Sequence, residues 1–283
     1  MFVALMFAML AGAAYAHPDQ LVETDWVAAH ATDRDVRVVD MRRGGYDVGH
    51  VPGSVYLQPE AIRDAKTPPT FLPSPAAFEA MMSGLGISNT TRVIVYDERG
   101  GIYAARLWWI LNAFGHTNVA LMNGGWTKWT AEQRTAATAA FNPPPSRFTA
   151  SLRPEWVATA SDVVAAIDKP DVKIVDARTA AEINGQTVGN IRRGGFVPSS
   201  IPVYWEDLLD AKLKTFKSAE ELKAIYESHG IKPSQQIIAY CLVGMRASVD
   251  LFALHLLGYE HLRNYYGAWE EWGNRDDLPL ATR

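Results

Sequence analysis

Short apolar runs alternate along this chain with longer segments in which apolar residues recur three and four positions apart. Runs such as 93–96 and 237–240 have the length and composition of buried strands. The segments 103–114 and 247–257 have the spacing of amphipathic helices and are each followed by a glycine suited to a helix end. Buried strands that alternate with helices are typical of parallel βαβ units, so the pattern predicts an α/β protein with helices on both faces of each sheet.

The same order of elements occurs twice. Residues 38–42 and 174–178 each form an apolar strand that ends in Asp-x-Arg. Later in each half, the strand that ends before Asp97 matches the strand that ends before Cys241, and a helix follows in both cases. An aspartate therefore occupies, in the first half, the place that a cysteine has in the second.

The boundary between the two halves has a distinct composition. Residues 132–151 lack apolar periodicity and include three consecutive prolines, which cannot continue a helix or occupy a central strand. We predict a first domain over 17–134, a linker over 135–151 and a second domain over 152–283. Each domain is expected to be a small parallel sheet flanked by helices.

The N-terminus has the features of an export signal. Residues 2–13 are apolar and uncharged, and Ala14-Tyr15-Ala16 has the small-x-small pattern of a cleavage site. The segment is short for a membrane span, and no Lys or Arg precedes the apolar run. We interpret 1–16 as a signal peptide and expect a periplasmic or secreted protein; if the segment is not cleaved, the protein is cytoplasmic, and the segment is then a buried helix.

Charge and composition narrow the range of partners. The formal net charge of −4 and the pI near 6.0 leave no excess of basic residues for neutralising phosphates, so a nucleic acid is not an expected partner. The histidines are not grouped at metal-ligand spacing, and we expect neither a metal nor another cofactor. We also expect no membrane partner and a monomeric state.

Cys241 is the one cysteine of the chain, and its position is unusual for a core residue. It ends an apolar strand, and Gly244 and Arg246 lie in the turn before the next helix. In open parallel sheets, ligands gather at the carboxyl ends of the strands, where loop N–H groups and helix N-termini favour an anion. Such a turn would stabilise a thiolate, which is the nucleophilic form. The alternative is a buried structural cysteine, because a free cysteine packs like a small hydrophobe.

Several motifs together resemble the tandem-domain rhodanese family of thiosulfate and 3-mercaptopyruvate sulfurtransferases. The second half resembles its active loop, and the first half resembles its N-terminal domain, in which the cysteine is lost. The motifs are the loop 241–246 followed by Ala247-Ser248, Asp40-Met41-Arg42, Gly49-His50-Val51-Pro52-Gly53-Ser54, the segments 103–109 and 114–116, and Asn123-Gly124-Gly125-Trp126.

The resemblance implies that Cys241 attacks the outer sulfur of an anionic donor, carries it as a persulfide and passes it to a thiol or cyanide. It implies that Arg246 holds the anionic donor or the persulfide, and that Arg106 reaches across the domain interface toward the donor. Ser248 is a candidate hydrogen-bond donor to the sulfur, whereas Asp40 and His50 fit turns that order the chain. The remaining loop residues, Leu242, Val243, Gly244 and Met245, are expected to line the donor site.

The donor itself stays open, with thiosulfate slightly ahead of 3-mercaptopyruvate, because the loop has the signature of neither enzyme type. Two other functions are compatible with a cysteine in such a loop. A cysteine phosphatase is disfavoured because Cys241 and Arg246 enclose four residues, whereas the phosphatase signature encloses five. A non-catalytic carrier that receives its persulfide from a partner protein remains an alternative.

Overall fold

The computed structural model describes residues 14–63, 72–186 and 189–283, which form two domains of similar architecture. The strands of the first domain are β1 Leu21–Val22, β2 Val36–Asp40, β3 Val55–Tyr56, β4 Arg92–Tyr96 and β5 Val119–Met122. Its helices are α1 Thr24–His30, α2 Pro75–Gly84, α3 Ala104–Ala113 and α4 Gly125–Ala131, with short 3-10 helices at Pro18–Gln20 and Pro59–Ile62.

The second domain repeats this succession. Its strands are β6 Val157–Ala158, β7 Val172–Asp176, β8 Ile201–Pro202, β9 Gln236–Tyr240 and β10 Leu262–Tyr265. Its helices are α5 Ala160–Ala166, α6 Ala180–Ile183, α7 Ala219–Ser228, α8 Met245–Leu256 and α9 Ala268–Trp272, with 3-10 helices at Pro154–Trp156 and Trp205–Leu208.

Each domain contains a five-stranded sheet within the described residues, and all neighbouring strands are parallel. The strand orders are β1-β5-β4-β2-β3 and β6-β10-β9-β7-β8, so the two sheets have the same topology. Central strands β4 and β9 are buried along almost their whole length, as a strand covered by helices on both faces must be. The predicted α/β class and the internal repeat are confirmed.

Both sheets contain the same set of buried ion pairs and hydrogen bonds. In the first domain, Arg42 donates to both carboxylate oxygens of Asp40, and the hydroxyl of Tyr96 donates to the same carboxylate at 2.6 Å. In the second domain, the matching residues make the same contacts. They are Arg178, Asp176 and Tyr240. Buried charges need partners of opposite charge, so these groups anchor the ends of the central strands.

The domains meet through α3 and α8, the helices that follow the two equivalent loops. Trp108 on α3 packs edge-on against Phe252 on α8, with ring centroids 5.1 Å apart, and against Trp156 at 5.5 Å. Both helices are buried almost completely. The interface therefore carries part of the hydrophobic core and holds the two loops in a fixed relation.

Between α4 and the 3-10 helix Pro154–Trp156 the chain has no helix or strand, apart from a β-bridge between Ala137 and His50. This stretch contains the predicted linker. The side chain of His50 is fully buried beside Tyr46, whose ring it stacks on at 3.8 Å. Through its bridge with Ala137, His50 attaches the linker to the first domain.

Most of the predicted signal peptide, residues 1–13, lies outside the described residues. Its last residues lie against the second domain: Tyr15 donates its hydroxyl to the carbonyl of Lys217, and the N–H of Ala16 donates to the carbonyl of Leu256 at 2.7 Å. Among the helices described, none is both long and apolar enough to cross a bilayer.

Candidate active site

Cys241 follows β9 directly, at the carboxyl end of the central strand, as the sequence predicted. Its carbonyl accepts a hydrogen bond from the N–H of Trp269 at 2.9 Å, which ties the end of β9 to the start of α9. The residue has no exposed surface. This burial is what the alternative of a structural cysteine expected, and Cys241 belongs to a hydrophobic cluster that includes residues of both domains. The next two residues, Leu242 and Val243, are half-buried.

The loop after Cys241 is shorter than the sequence suggested. Helix α8 begins at Met245, two residues before the predicted start, and Gly244 is its N-cap with φ +74°. This left-handed conformation is one that glycine adopts without steric cost, so the chain turns within a single residue. Met245 and Arg246 consequently belong to the first turn of α8 and not to the loop, and Met245 is buried.

Three side chains donate hydrogen bonds to the carbonyl of Gly244. They are Arg106 Nη1 at 3.3 Å, Ser248 Oγ at 3.0 Å and Asn264 Nδ2 at 3.0 Å. Because the peptide unit is planar and trans, fixing this carbonyl also fixes the N–H of Met245 in the opposite direction. The three side chains therefore determine the orientation of a peptide group beside Cys241.

Arg106 crosses the interface, but its observed partner is the loop itself. The side chain is fully buried, and its guanidinium lies 4.3 Å from the ring centroid of Trp109. Burial lowers the pKa of Arg106 to about 9, while the charge of Cys241 favours the protonated form and that of Arg63 opposes it. At neutral pH Arg106 thus remains a cation close to the sulfur. Its hydrogen bond to the Gly244 carbonyl gives it an anchoring role that the sequence did not predict.

Ser248 likewise serves the loop. Its hydroxyl donates to the carbonyl of Gly244, one turn earlier in α8, and accepts a hydrogen bond from Asn264 Nδ2 at 3.0 Å. The resemblance implied a hydrogen bond from this serine to the sulfur, whereas its hydroxyl donates to the Gly244 carbonyl.

Arg246 faces a carboxylate that sequence reasoning missed. Its Nη1 and Nη2 donate to the two oxygens of Glu182 at 2.7 and 2.8 Å, in a bidentate ion pair. Burial opposes the charge of Arg246, but hydrogen bonding to Glu182 and the charge of Cys241 raise its pKa. Burial also opposes ionisation of Glu182, yet its bonds with Arg246 lower the pKa to about 2. The guanidinium of Arg246 is therefore held by a carboxylate, and its charge interacts with that of Cys241.

The equivalent loop of the first domain contains an internal anion. The carboxylate of Asp97, at the place of Cys241, accepts four backbone hydrogen bonds from its own loop and the start of α3. The donors are the N–H groups of Arg99, Gly101, Tyr103 and Ala104, at 2.8, 2.9, 2.7 and 3.0 Å. This strand-to-helix turn directs peptide N–H groups at a negatively charged side chain.

Three residues near the site were not singled out from the sequence: Glu182, Asn264 and Arg63. Glu182 was signalled by the Thr179-x-x-Glu182 capping pattern, although that pattern does not predict Arg246 as a partner. Asn264 lies within a buried strand, where a polar residue needs a partner. Arg63 lies 3.7 Å from Glu270 across the domain interface, and nothing in the local pattern indicates this contact.

Within the described residues, no group of three or more His, Cys, Asp or Glu side chains could hold a metal ion. Among the sequence-predicted residues, Arg106 and Ser248 both bond the Gly244 carbonyl, in the loop that contains Cys241. Arg246 lies in the first turn of α8, next to this loop, and pairs with Glu182.

Comparison with known proteins agrees with this architecture. The model of the rhodanese-like domain matches residues 23–132 and 159–275. The chain is 38% identical over 285 residues to the sulfur carrier protein TtuD of Thermus thermophilus, covering 94% of this chain and 98% of TtuD. It is 35% identical over 275 residues to the 3-mercaptopyruvate sulfurtransferase of Escherichia coli, covering 92% and 96%.

The solved structure of SseA, a 3-mercaptopyruvate sulfotransferase from Escherichia coli, superposes with a TM-score of 0.80 at 33% identity, covering 88% of this chain and 98% of SseA. Two matched domains, relatives along nearly the whole length and a shared fold lead to one conclusion. The chain belongs to the rhodanese family and is a sulfurtransferase of the thiosulfate and 3-mercaptopyruvate type.

Proposed function

We propose that this enzyme carries a sulfane sulfur on Cys241 between an anionic donor and a nucleophilic acceptor. The thiolate attacks the outer sulfur of thiosulfate, a new S–S bond forms, and the S–S bond of the donor breaks as sulfite leaves with the electron pair. With 3-mercaptopyruvate, the C–S bond breaks and the resulting pyruvate enolate takes up the thiol proton. Cyanide or a thiol then attacks the outer sulfur and regenerates the Cys241 thiolate.

The observation that carries this proposal is the four-donor contact of Asp97. The first domain folds from the same repeat, and its loop directs four N–H groups at an anion at the place of Cys241. A thiolate and a persulfide are both anions that such donors stabilise. The turn in the second domain has the same position in the sheet, so we infer that it serves the charged sulfur in both states.

Thiosulfate remains the first candidate donor. Leu242, Val243 and Met245 contribute no charge, and the cations at the site are Arg106 and Arg246. The charges of both arginines interact favourably with that of Cys241, Arg246 from the first turn of α8 and Arg106 from the opposite domain, and we infer that they favour the anionic thiolate and persulfide. A small anion is the donor class that this arrangement favours.

A persulfide carrier is the second candidate, because the relative TtuD is named a sulfur carrier protein. In that case a partner protein would deliver the sulfur to Cys241. Complete burial of the cysteine weakens this alternative, since a protein-bound persulfide would need more access than a small anion.

The test is direct. Purified protein and a Cys241→Ser variant are incubated with thiosulfate or 3-mercaptopyruvate, examined by intact mass for one added sulfur, and assayed for transfer to cyanide. We expect the added sulfur in the unaltered protein and neither sulfur nor turnover in the variant. If the unaltered protein gains no sulfur from either donor, the partner-fed carrier replaces our proposal. Turnover by the variant would overturn the assignment of Cys241.

We further propose export, with cleavage after Ala16. The apolar segment 2–13 and the small residues at 14 and 16 support it. Cleavage would remove the contacts that Tyr15 and Ala16 make with the second domain. Fractionation of cells followed by intact mass tests this: a periplasmic or secreted form that begins at His17 is expected, and an uncleaved cytoplasmic chain would overturn it.

A further inference from the structure

Glu182 is a buried carboxylate whose contacts exceed those needed to begin a helix. It is the third residue of α6 and forms a capping box with Thr179, accepting from the backbone N–H at 3.1 Å and from the hydroxyl at 2.8 Å. Only 8% of the residue is exposed. Its oxygens also receive both terminal nitrogens of Arg246, which lies 64 positions further along the chain.

The contacts give Arg246 a defined orientation. A bidentate pair fixes the plane of the guanidinium as well as its position, which a single hydrogen bond does not. Arg246 lies in the first turn of α8, directly after the loop that contains Cys241, and the charge of Cys241 contributes to the raised pKa of Arg246. Since Glu182 holds both Nη1 and Nη2, it sets the position and the plane of this guanidinium.

We propose that Glu182 is a positioning and specificity-determining residue of the Cys241 site: it holds the guanidinium of Arg246 at the sulfur and cancels its charge for an approaching anion. The inference rests on the proposed function in that it concerns the same sulfur. Glu182 would thus influence which donor the enzyme uses, in addition to the uncharged side chains of the loop.

The physical consequence depends on distance. At hydrogen-bond range, the N–H groups of Arg246 still stabilise a negatively charged sulfur. At longer range, the pair of Arg246 and Glu182 has no net charge, so its field falls off more steeply than that of a lone cation. An anionic reagent therefore gains less from this pair than it would gain from Arg246 alone. Removal of the carboxylate charge should make the site more attractive to anions.

The variant Glu182→Gln isolates this charge. Glutamine can replace glutamate at the third position of a capping box, so α6 keeps its start while the ion pair loses its negative charge. Glu221→Gln is the matched control, because Glu221 forms the same capping box with Ser218 at the start of α7 and lies at the surface. An effect of capping alone would appear in both variants.

The probe is alkylation of Cys241 by iodoacetate and by iodoacetamide, followed by intact mass. In both reactions the thiolate sulfur bonds to the CH₂ carbon and iodide leaves. The reagents are similar in size and differ in charge. The thiolate fraction and the opening that gives access to the sulfur affect both rate constants equally, so they cancel in the ratio. We expect Glu182→Gln to raise the ratio of iodoacetate to iodoacetamide by about 5- to 30-fold, from one unit charge in a partly screened site. Glu221→Gln should leave it unchanged.

The variant Arg246→Gln should change the rate ratio in the opposite direction. It leaves the Glu182 carboxylate without its cation, so the ratio of iodoacetate to iodoacetamide should fall. In the double variant, which lacks both charges, the ratio should be close to that of the unaltered protein. An unchanged ratio in Glu182→Gln, or an equal rise in Glu221→Gln, overturns the proposal. If Glu182→Gln does not fold, the proposal is tested by Arg246→Gln. A rate ratio that does not fall in that variant overturns the proposal. No sulfur donor is used, so a failure of the proposed function would be seen separately, as a missing persulfide.

Discussion

Arg106 Nη1 lies 3.3 Å from the carbonyl oxygen of Gly244, although 138 positions separate the two residues. One belongs to the helix after the cysteine-free loop, and the other belongs to the loop that contains Cys241. The contact makes the first domain a structural part of the site in the second. The first domain, which has Asp97 at the place of Cys241, therefore contributes to the structure of the site.

Replacing Arg106 tests this dependence. Arg106→Ala should reduce kcat/KM for thiosulfate by about 10- to 100-fold, because the Gly244 peptide loses a donor and the sulfur loses a nearby cation. Arg106→Met fills most of the volume and should have a similar effect on steady-state kinetics. A loss confined to the alanine variant would assign Arg106 to domain packing, and unchanged kinetics in both would exclude a role in donor use.

Asn264 should behave as a positioning residue. Asn264→Ala removes one donor to the Gly244 carbonyl and one to Ser248, so kcat should fall by about tenfold or more as the adjacent peptide loses its fixed orientation. The cost in unfolding free energy should be about 1–3 kcal/mol, as for a buried hydrogen-bonding group. Ser248→Ala is the comparison and should be milder because Asn264 still holds the carbonyl. Equal kcat in Asn264→Ala and the unaltered protein would contradict this role.

Gly244 is required for two separable reasons. Its φ of +74° costs an alanine about 1–2 kcal/mol, and a Cβ at this position would lie 3.0 Å from Arg106 Nη1 and 3.2 Å from Asn264 Oδ1. Gly230→Ala is the matched control, with φ +70° and nothing within 4 Å of the added Cβ. We expect both variants to lose stability in urea unfolding, and only Gly244→Ala to lose sulfur transfer. Full activity in Gly244→Ala would show that the close contacts are not needed.

The carboxylate of Asp97 should stabilise the first domain. Asp97→Asn removes the charge that accepts four backbone hydrogen bonds, and the unfolding free energy should fall by about 2–3 kcal/mol. Urea denaturation at pH 7 measures the change, with the exposed Asp47→Asn as control. If the two variants have the same midpoint, the four contacts add nothing to stability.

His255 should make the fold sensitive to mild acid. Burial, together with the charge of His17 stacked on it at 4.3 Å, lowers the pKa of His255 to about 4. Below its ordinary pKa near 6.5, the unfolded chain binds a proton that the folded chain does not, so stability falls as the pH decreases toward 4. Between pH 7 and pH 5 the loss should be about 2 kcal/mol. His255→Gln should flatten this slope in urea unfolding, whereas the exposed His229→Gln should not; equal slopes would contradict it.

Much of the fold could be predicted from local patterns. The apolar runs around Val95 and Ile238 identified central strands, and the echo of Asp40-Met41-Arg42 identified the repeat. The site could be located as well, because a cysteine at the end of a buried strand and before a glycine lies where parallel sheets bind ligands. The start of α8 was placed two residues late, since the sharpness of the turn at Gly244 depends on its backbone angle.

The polar contacts of the site could not be predicted in the same way. Glu182 begins a helix far from Arg246 in the chain, Asn264 lies in a strand, and the sequence around each of them is compatible with several partners. Arg106 was expected to face the donor, and its bond to the carbonyl of Gly244 depends on how α3 packs against α8. Cys241 belongs to the hydrophobic cluster that includes residues of both helices.

The sequence by itself determined the two βαβ-type repeats, the order of their strands along the chain and the place of Cys241, because periodicity and turn residues act within a few positions. Only the tertiary structure decided that Glu182 pairs with Arg246, that three side chains donate to the Gly244 carbonyl and that Cys241 is buried. Hydrogen bonds and ion pairs act over a few ångströms in space, so their partners depend on which surfaces the folded core brings together.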